Sequence, residues 1–277
     1  MRCTMQVDFT KMHGLGNDFV VLDGREVALP AMTPAVAKAL ADRNTGIGCD
    51  QLIVLEPKGD TASKADFRMR IYNHDGGEVG ACGNASRAVA LLHGNDARVE
   101  TAGGVIDVSP VHGGAQVDMG VPRFDWEDIP LAYAMDTAAM PVGWEELSDP
   151  VAVNVGNPHV VFFVDNADAV DLARLGPLIE SDALFPERVN VNVASLAEDD
   201  HLHLRVWERG AGLTRACGTG ACATAAAAFC RGLTGRNVTV SLPGGDLAIA
   251  YDEEGRITMT GPAKESFRGC FEWSNFA

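Results

Sequence analysis

The sequence predicts an α+β fold built from two related halves. Three segments recur in one order at nearly one spacing: GNDFVV at 16–21 and GNPHVV at 156–161, MRIYN…ACG at 69–83 and LRVWE…ACG at 204–218, VETAGG at 99–104 and VSLPGG at 240–245. An ordered recurrence of this kind indicates an internal repeat. Strand-like runs also follow one another more often than they alternate with helices, which favours α+β over a doubly wound sheet.

Local patterns predict the individual elements. The runs 18–23 and 159–165 are rich in β-branched and aromatic residues, and the runs 67–73 and 202–208 alternate polar with apolar residues, so all four are predicted strands. A helix is predicted after each Ala-Cys-Gly, ending at Gly94 and at Gly232, because glycine is the usual C-terminal cap. Shorter helices are predicted at 33–43 and 171–180. The junction between the halves is expected in the segment 121–144, which contains proline and tryptophan.

Composition excludes several classes of function. The net charge of −16 opposes binding to phosphate backbones and to anionic lipid surfaces, so neither nucleic acid nor membrane is an expected partner. The first residues lack the apolar core of a signal peptide, and no apolar run approaches the ~20 residues of a membrane span. We therefore expect a cytoplasmic protein.

The seven cysteines do not form a disulfide or zinc pattern. Their number is odd, they are widely spaced, and no Cys-x-x-Cys pair occurs. His201 and His203 alternate on a strand, and we favour solvent exposure over a metal site for them because no carboxylate-rich motif accompanies them. Most cysteines are predicted to be buried core residues, namely Cys3, Cys49, Cys222, Cys230 and Cys270.

Cys82 and Cys217 differ from the others because each stands between glycine-rich turns where a helix begins. A helix start carries unpaired N–H groups and partial positive charge, which bind anions and lower a thiol pKa. The glycine that follows lets a ligand approach the backbone, and Asn84 or Thr219 would then cap the helix. One such cysteine alone is more often a buried residue than a catalyst. The repetition of the motif favours catalysis.

Two thiols, one on each wall of a cleft between the halves, suit inversion of a stereocentre. A base must remove a proton from one face while an acid supplies one to the other, and thiolate and thiol can exchange these roles. An amino-acid α-C–H is a weak acid, so helix N-termini on its carboxylate would have to stabilise the carbanion.

Several segments together resemble the diaminopimelate epimerase family: HGLGNDF, YNHDGGEVGACGN, VGNPHVV, RVN and WERGAGLTRACGTGACA. The resemblance implies two pseudo-symmetric halves, each a barrel-like mixed or antiparallel sheet around a central helix. It implies domains at 1–125 and 126–264, with the strand at 265–277 returning to the first. It also implies a homodimer that interconverts LL- and meso-diaminopimelate, on the route to lysine and peptidoglycan, with no cofactor and no metal.

The resemblance also implies roles for individual residues. Cys82 and Cys217 would transfer the proton, and backbone N–H groups at Gly83–Asn84 and Gly218–Thr219 would hold the reacting carboxylate. His159 and Glu208 would tune the thiols. The amine beside the reacting carbon would meet Asn17, Gln51 and Glu208, and the distal end of the substrate would meet Asn73, Asn157, Asn190 and Arg209.

Alternatives stay open at this point. His159 could equally be a satisfied core histidine, and Asn17 and Asn157, which match in the repeat, could be turn residues. A racemase of histidine or of proline-type amino acids on the same fold is a rival function, although Arg209 suits a second carboxylate. A non-catalytic thiol protein, binding metal or cycling a disulfide, is the rival from a different class.

Overall fold

The computed structural model describes residues 5–59, 64–80, 82–198 and 200–277. The chain divides into two compact units, called here the first unit (1–117 with 262–277) and the second unit (118–261). The sequence-based division was placed at 125/126 and 264/265, a few residues further along the chain at both points.

Among its described residues, the first unit contains two helices and a sheet of mixed parallel and antiparallel strands. The helices are α1 (Pro34–Ala41) and α2 (Gly83–His93). The strands are β1 (Gln6–Gly14), β2 (Asn17–Asp23), β3 (Gln51–Pro57), β4 (Phe67–Asn73), β5 (Glu78–Val79), β6 (Ala97–Thr101), β7 (Gly104–Val111) and β8 (Gly114–Gly120).

The second unit repeats this series after a small hairpin of β9 (Gly143–Trp144) and β10 (Leu147–Ser148). Its helices are α3 (Leu172–Glu180) and α4 (Gly218–Cys230), with a 3₁₀ turn at Ala167–Ala169. Its strands are β11 (Val151–Asn154), β12 (Pro158–Phe163), β13 (Asn190–Glu198), β14 (His201–Glu208), β15 (Gly212–Thr214), β16 (Asn237–Leu242), β17 (Gly245–Tyr251) and β18 (Ile257–Pro262). The strand β19 (Lys264–Glu272) and a 3₁₀ turn at Trp273–Asn275 follow.

Strand pairing is the same in the two units. In the first, β1–β2 is antiparallel, β2–β3 parallel, β3–β4 antiparallel and β4–β6 parallel, and β6–β7–β8 is an antiparallel meander. In the second, β11 to β18 repeat every one of these pairings in the same order. β19 pairs antiparallel with β1 and so belongs to the first unit. The α+β fold with an internal repeat is confirmed.

Each sheet wraps a helix and carries a second helix elsewhere. α2 packs against β1, β2, β7 and β19, and α4 against β11 to β14 and β16 to β17. Both helices are buried over most of their length, which is why their sequences are rich in alanine. α1 and α3 each cover a separate apolar cluster with one face, through Leu40 in the first unit and Leu175 in the second. The predicted central helix in each half is confirmed.

The cysteine predictions have mixed outcomes. Cys49 and Cys222 are buried as predicted, whereas Cys3 lies outside the described residues. Cys230 and Cys270 are exposed, so their assignment to the core was wrong. Cys230 is the last residue of α4, where the helix leaves the sheet, and Cys270 lies on β19, whose side chains are mostly exposed. Over the described ranges, the structure contains no helix that is both long and apolar enough to cross a membrane.

Candidate active site

Both candidate catalytic cysteines are helix N-caps. Cys82 caps α2 with extended backbone, and its sulfur accepts the N–H of Ala85 at 3.4 Å. Cys217 caps α4 in the same conformation, and its sulfur accepts the N–H of Gly220 at 3.3 Å. In each unit the sulfur therefore takes the place of the serine or aspartate oxygen that usually caps a helix.

This geometry corrects the predicted caps. Asn84 and Thr219 are not capping residues but the second residues of their helices. Gly83 and Gly218 open the helices, so these glycines and their neighbours form the first turns, the part of a helix that binds anions. The N–H groups that the resemblance assigns to the substrate carboxylate therefore follow each cysteine directly, with no polar capping residue between them.

In the first unit the predicted residues gather at the start of α2. The Cys82 sulfur lies 4.0 Å from the Asn17 Oδ1, and the Asn84 Nδ2 donates to the same oxygen at 3.2 Å. Gln51 and Asn73 face each other across β3 and β4, where the Gln51 Nε2 donates to the Asn73 Oδ1 at 3.1 Å. The buried Gln51 Oε1 has no hydrogen-bond donor among the described residues. The residues predicted for this unit all lie at these strand ends, at the N-cap of α2 or in its first turn.

In the second unit a hydrogen-bonded chain of side chains leads to Cys217. The His159 Nε2 lies 3.0 Å from the Asn157 Oδ1, and the Asn157 Nδ2 donates to the Thr219 Oγ1 at 3.3 Å. The Thr219 Oγ1 lies 3.5 Å from the Cys217 sulfur. At the other end, the Asn192 Nδ2 lies 3.0 Å from the His159 Nδ1. Since an amide nitrogen can only donate, the imidazole proton belongs on Nε2 and points at Asn157.

Asn190 connects β12 to the residue after β14. Its Nδ2 donates to the Pro158 carbonyl at 2.8 Å, and its Oδ1 accepts the Arg209 N–H at 2.9 Å. The Arg209 guanidinium donates to the Glu187 carbonyl at 2.9 Å and is exposed. Asn190 therefore holds the backbone that carries Arg209, and the contact of both residues with the distal end of a substrate stays a prediction.

The pKa of Cys217 departs from expectation. A helix start should lower a thiol pKa, yet the pKa of Cys217 is raised well above its ordinary value. Burial is the largest cause, the negative charge of Glu208 adds to it, and hydrogen bonds from Thr219 and the Gly220 N–H oppose it. Cys217 is therefore a neutral thiol at pH 7, and the predicted lowering was wrong for this residue because burial outweighs the helix N–H groups.

His159 is neutral for a related reason. Its side chain is fully buried, and burial lowers its pKa to about 3, with the Arg209 charge adding to that. Both ring nitrogens are hydrogen-bonded, as the alternative of a satisfied core histidine also expects. His159 reaches Cys217 only through Asn157 and Thr219 in these hydrogen bonds, so its role in tuning the thiol stays a prediction.

Sequence reasoning missed three residues that hold this machinery. Arg87 donates to the Asn84 Oδ1, Asp50 accepts from the Asn17 Nδ2, and Asn192 fixes the tautomer of His159. The signal was present in the spacing. Arg87 lies three residues after Asn84 on one helix, hence on the same face, and Asn192 lies two residues after Asn190 on one strand.

Comparison with known proteins identifies relatives along nearly the whole chain. The model of the family described as diaminopimelate epimerase matches residues 9–124 and 151–265. A diaminopimelate epimerase of Erythrobacter litoralis is 70% identical over 99% of this chain and 100% of its own length. One of Sphingopyxis alaskensis is 62% identical over 97% of this chain and 98% of its own. A solved phenazine biosynthesis protein of the PhzF family from Bacillus anthracis has the same fold, with a TM-score of 0.68 and 16% identity over 96% and 99% of the two chains.

Proposed function

The chain belongs to the diaminopimelate epimerase family, and we propose that it interconverts LL- and meso-diaminopimelate by moving the proton on one α-carbon, with neither pyridoxal phosphate nor metal. The observation that carries the proposal is the pair of cysteine N-caps, one in each unit, in one conformation on equivalent helices. A single reactive cysteine would suit many enzymes. A repeated pair suits a reaction that needs an acid and a base of the same kind.

The chemistry balances with two thiols. One cysteine, as thiolate, takes the α-proton and becomes a thiol, while the other thiol gives its proton to the opposite face of the carbanion and becomes a thiolate. The product has the inverted configuration, and the enzyme is left ready for the reverse reaction. Positioned proton transfer of this kind contributes about 10²–10⁴-fold to the rate.

Stabilisation of the carbanion would come from the helix starts. As negative charge moves from the α-carbon onto the substrate carboxylate, the N–H groups at Gly83–Asn84 and Gly218–Thr219 are the donors we assign to it. Each pair lies in the first turn of a long helix, where the partial positive charge favours an anion. These donors are fixed before the substrate arrives, so no reorganisation is needed during the reaction.

The environment of Cys217 assigns it the acid role in the resting enzyme. Burial and the Glu208 charge raise the pKa of its thiol, so it holds its proton at pH 7. The base in that resting state would then be Cys82, which is only partly buried. In the reverse direction the two roles exchange.

The polar groups around the cysteines support an amino-acid substrate with a second charged end. The unpartnered Gln51 Oε1 is an acceptor suited to an ammonium group, and we assign Asn17 and Glu208 to the same amine. We assign the distal end to Asn73, Asn157, Asn190 and Arg209. The Arg209 guanidinium is a positive group that a second carboxylate could pair with, and a proline-type or histidine substrate offers no such carboxylate, which supports diaminopimelate.

The proposal is tested by proton exchange in D₂O with chelator and reductant. Purified protein is incubated with LL-diaminopimelate, and loss of the α-proton signal is followed by NMR alongside Cys82→Ala and Cys217→Ala. We expect exchange with inversion in the native protein and a loss of at least about 10³-fold in both variants. Cys222→Ala, which removes a buried thiol five residues from Cys217, is the matched control and should remain active.

Three outcomes would count against the proposal. Undiminished turnover in either catalytic variant removes the two-thiol mechanism. Exchange of another amino acid but not of diaminopimelate, in a competition panel, supports the rival racemase. Zinc in the purified protein, or a requirement for reversible thiol oxidation, supports the non-catalytic thiol protein. The proposal also includes a cytoplasmic location and a homodimer, and sedimentation at micromolar concentration tests the latter.

A further inference from the structure

A directed series of hydrogen bonds runs through the first unit beneath Cys82. The Arg87 Nη2 donates to the Asn84 Oδ1 at 2.8 Å, and the Asn84 Nδ2 donates to the Asn17 Oδ1 at 3.2 Å. The Asn17 Nδ2 then donates to the Asp50 Oδ2 at 3.0 Å. Two amides thus lie in series between a guanidinium and a carboxylate.

The two ends of the series determine which way the amides face. A guanidinium has donors only, and a carboxylate has acceptors only. If either amide turned over, an N–H₂ group would face the Arg87 donors or a carbonyl oxygen would face Asp50. An amide held by one neutral neighbour could turn over at little cost, but these two are fixed from both sides.

The Arg87 end is held by packing. Its side chain is completely buried on α2, and the Arg87 Nε also donates to the Pro262 carbonyl at 3.4 Å. β1 ends beside it at Gly14, where a Cβ atom would lie 3.3 Å from the Arg87 Nη2. The guanidinium therefore has no room to move away from Asn84.

The Asp50 end is held by charge and by the backbone. The Asp50 Oδ2 also accepts the Asp18 N–H at 3.0 Å, and the Asp50 Oδ1 accepts from the Arg43 Nη2 at 2.7 Å. The Asp50 side chain is 42% exposed, so a substitution there disturbs little packing.

We propose that Arg87 and Asp50 are positioning residues that turn the Asn17 carbonyl oxygen toward Cys82 and the substrate amine. The catalytic meaning of this inference rests on the proposed function, which assigns Asn17 to that amine. An ammonium group needs an acceptor, and the fixed series presents the Asn17 Oδ1, which accepts from Asn84 and lies 4.0 Å from the Cys82 sulfur. With the amide reversed, an N–H₂ group would oppose the ammonium.

The test removes the acceptor at position 50 and measures two quantities. In Asp50→Ala the Asn17 amide loses its fixed direction, so KM for diaminopimelate should rise about 10-fold while kcat changes less than about threefold. The side-chain N–H₂ signals of Asn17, in protein labelled with ¹⁵N-asparagine and without ligand, should move toward those of a solvent-exposed amide. Asn17→Ser identifies these signals.

Matched variants separate direction from charge. In Asp50→Asn two donors, the Asp18 N–H and the Asn17 Nδ2, hold the amide oxygen toward Asn17, so KM should stay within about twofold and the Asn17 signals should stay in place. Arg43→Ala removes the ion pair of Asp50 but leaves its bond to Asn17, and it should behave like the native protein. At the other end, Arg87→Lys keeps a donor-only group, whereas Arg87→Gln can face either way and should resemble Asp50→Ala.

The inference is overturned if Asp50→Ala leaves both KM and the Asn17 signals unchanged. It is also overturned if Arg43→Ala moves them as much as Asp50→Ala does, because the ion pair and not the direction of the amide would then be responsible. If the native protein does not turn over diaminopimelate, the proposed function fails, and the Asn17 signals still decide whether Arg87 and Asp50 orient the amide.

Discussion

The two cysteine sites have the same backbone but opposite hydrogen-bond directions. In the first unit donation passes from the helix to the strand, from Asn84 to the Asn17 oxygen. In the second it passes to the helix from the residue just before β12, from the Asn157 nitrogen to Thr219. Asn17 and Asn157 occupy the same place in the repeat, yet one offers the helix its carbonyl and the other its N–H₂ group.

One buried residue on the helix, acting with Asp50 at the other end of the series, accounts for the direction in the first unit. Arg87 donates to Asn84 and so turns the Asn84 N–H₂ group toward the strand. The residue at the corresponding place in α4, five positions after its cysteine, is Cys222, which is also buried but offers no strong donor.

Two buried residues on the strands account for the direction in the second unit. The pairing of β12 with β13 places His159 and Asn192 where the pairing of β2 with β3 places Phe19 and Ile53. His159, with its proton fixed on Nε2 by Asn192, donates to Asn157 and turns the Asn157 N–H₂ group toward the helix. The first unit has only hydrocarbon at these places.

The difference shows which part of a duplicated site is free to diverge. The backbone conformation at the helix start places the cysteine sulfur as N-cap, and both units have this conformation. The polar support is set by one or two buried side chains, and a substitution there changes one thiol without disturbing the other. In the proposed two-thiol mechanism this independence is useful, because the two thiols must hold different protonation states at the same pH.

The largest expected effect is on acid stability, and it isolates the buried histidine. The folded-state pKa of His159 is about 3, below the usual ~6.5, so the unfolded chain binds the proton more readily and stability is lost as pH falls through this window. We expect a loss of roughly 3 kcal/mol between pH 6.5 and 4 from this group. The double variant His159→Phe/Asn192→Ile carries the apolar pair of the first unit, and its free energy of unfolding should not show this loss.

Urea unfolding followed by tryptophan fluorescence at several pH values measures this difference. Asp18 in the first unit does not interfere. Burial alone would raise its pKa, but its hydrogen bonds with Arg43 and Lys11 lower the pKa to about 2. The stability that Asp18 gives to the folded protein is therefore lost only below about pH 4. If the free energy of unfolding depends on pH in the same way in the native protein and the double variant above pH 4, the low pKa of His159 is refuted.

A smaller effect is expected on catalysis from Glu208→Gln. The repeat places Asn73 at the corresponding position, so this variant gives the second unit a neutral side chain like that of the first. We expect kcat/KM to fall about 10²-fold, and the pKa of Cys217 to fall because the Glu208 charge no longer opposes the thiolate. Alkylation of Cys217 as a function of pH, located by mass spectrometry, measures the second change.

Glu198→Gln is the control for that experiment, because Glu198 is an exposed carboxylate on β13 of the same unit. It should leave both quantities near those of the native protein. An unchanged alkylation profile in Glu208→Gln would mean that burial alone raises the pKa of Cys217.

The smallest expected effect comes from His159→Phe without the second change. It removes the hydrogen bonds of His159 to the half-buried Asn157 and the buried Asn192, and we expect a loss of roughly 2 kcal/mol in the free energy of unfolding. Adding Asn192→Ile should restore most of the stability, while kcat stays reduced about 10-fold in both variants. If kcat recovers together with stability, the histidine is only a packing residue.

The fold could be predicted because its evidence is repeated in the sequence. The recurrence of segments, the alternating strands and the glycines after α2 and α4 each have a local cause that does not depend on distant packing. The exposure of Cys230 and Cys270 could not be predicted in this way, because it depends on where α4 ends relative to the sheet and on which residues cover β19.

The cysteines of the site were predictable, but their electrostatics were not. A helix start lowers a thiol pKa only where water and the helix N–H groups outweigh burial, and the burial of Cys217 follows from the packing of α4 within its sheet. The burial of Arg87 also follows from packing. It could not be expected from the sequence, because arginine is rarely fully buried. The sequence placed Cys82 and Cys217 at helix starts but could not determine how deeply they lie, and it did not predict Arg87.

The return of β19 to β1 makes the first unit discontinuous, and this has a consequence for synthesis. Gln6 on β1 donates to Cys270 on β19, 264 residues away, whereas the second unit is one continuous segment of chain. Domains generally fold as their sequence leaves the ribosome, and distant pairings form slowly. The unit that is made first must therefore be the last to close, and until β19 arrives its β1 edge is open to pairing with other chains.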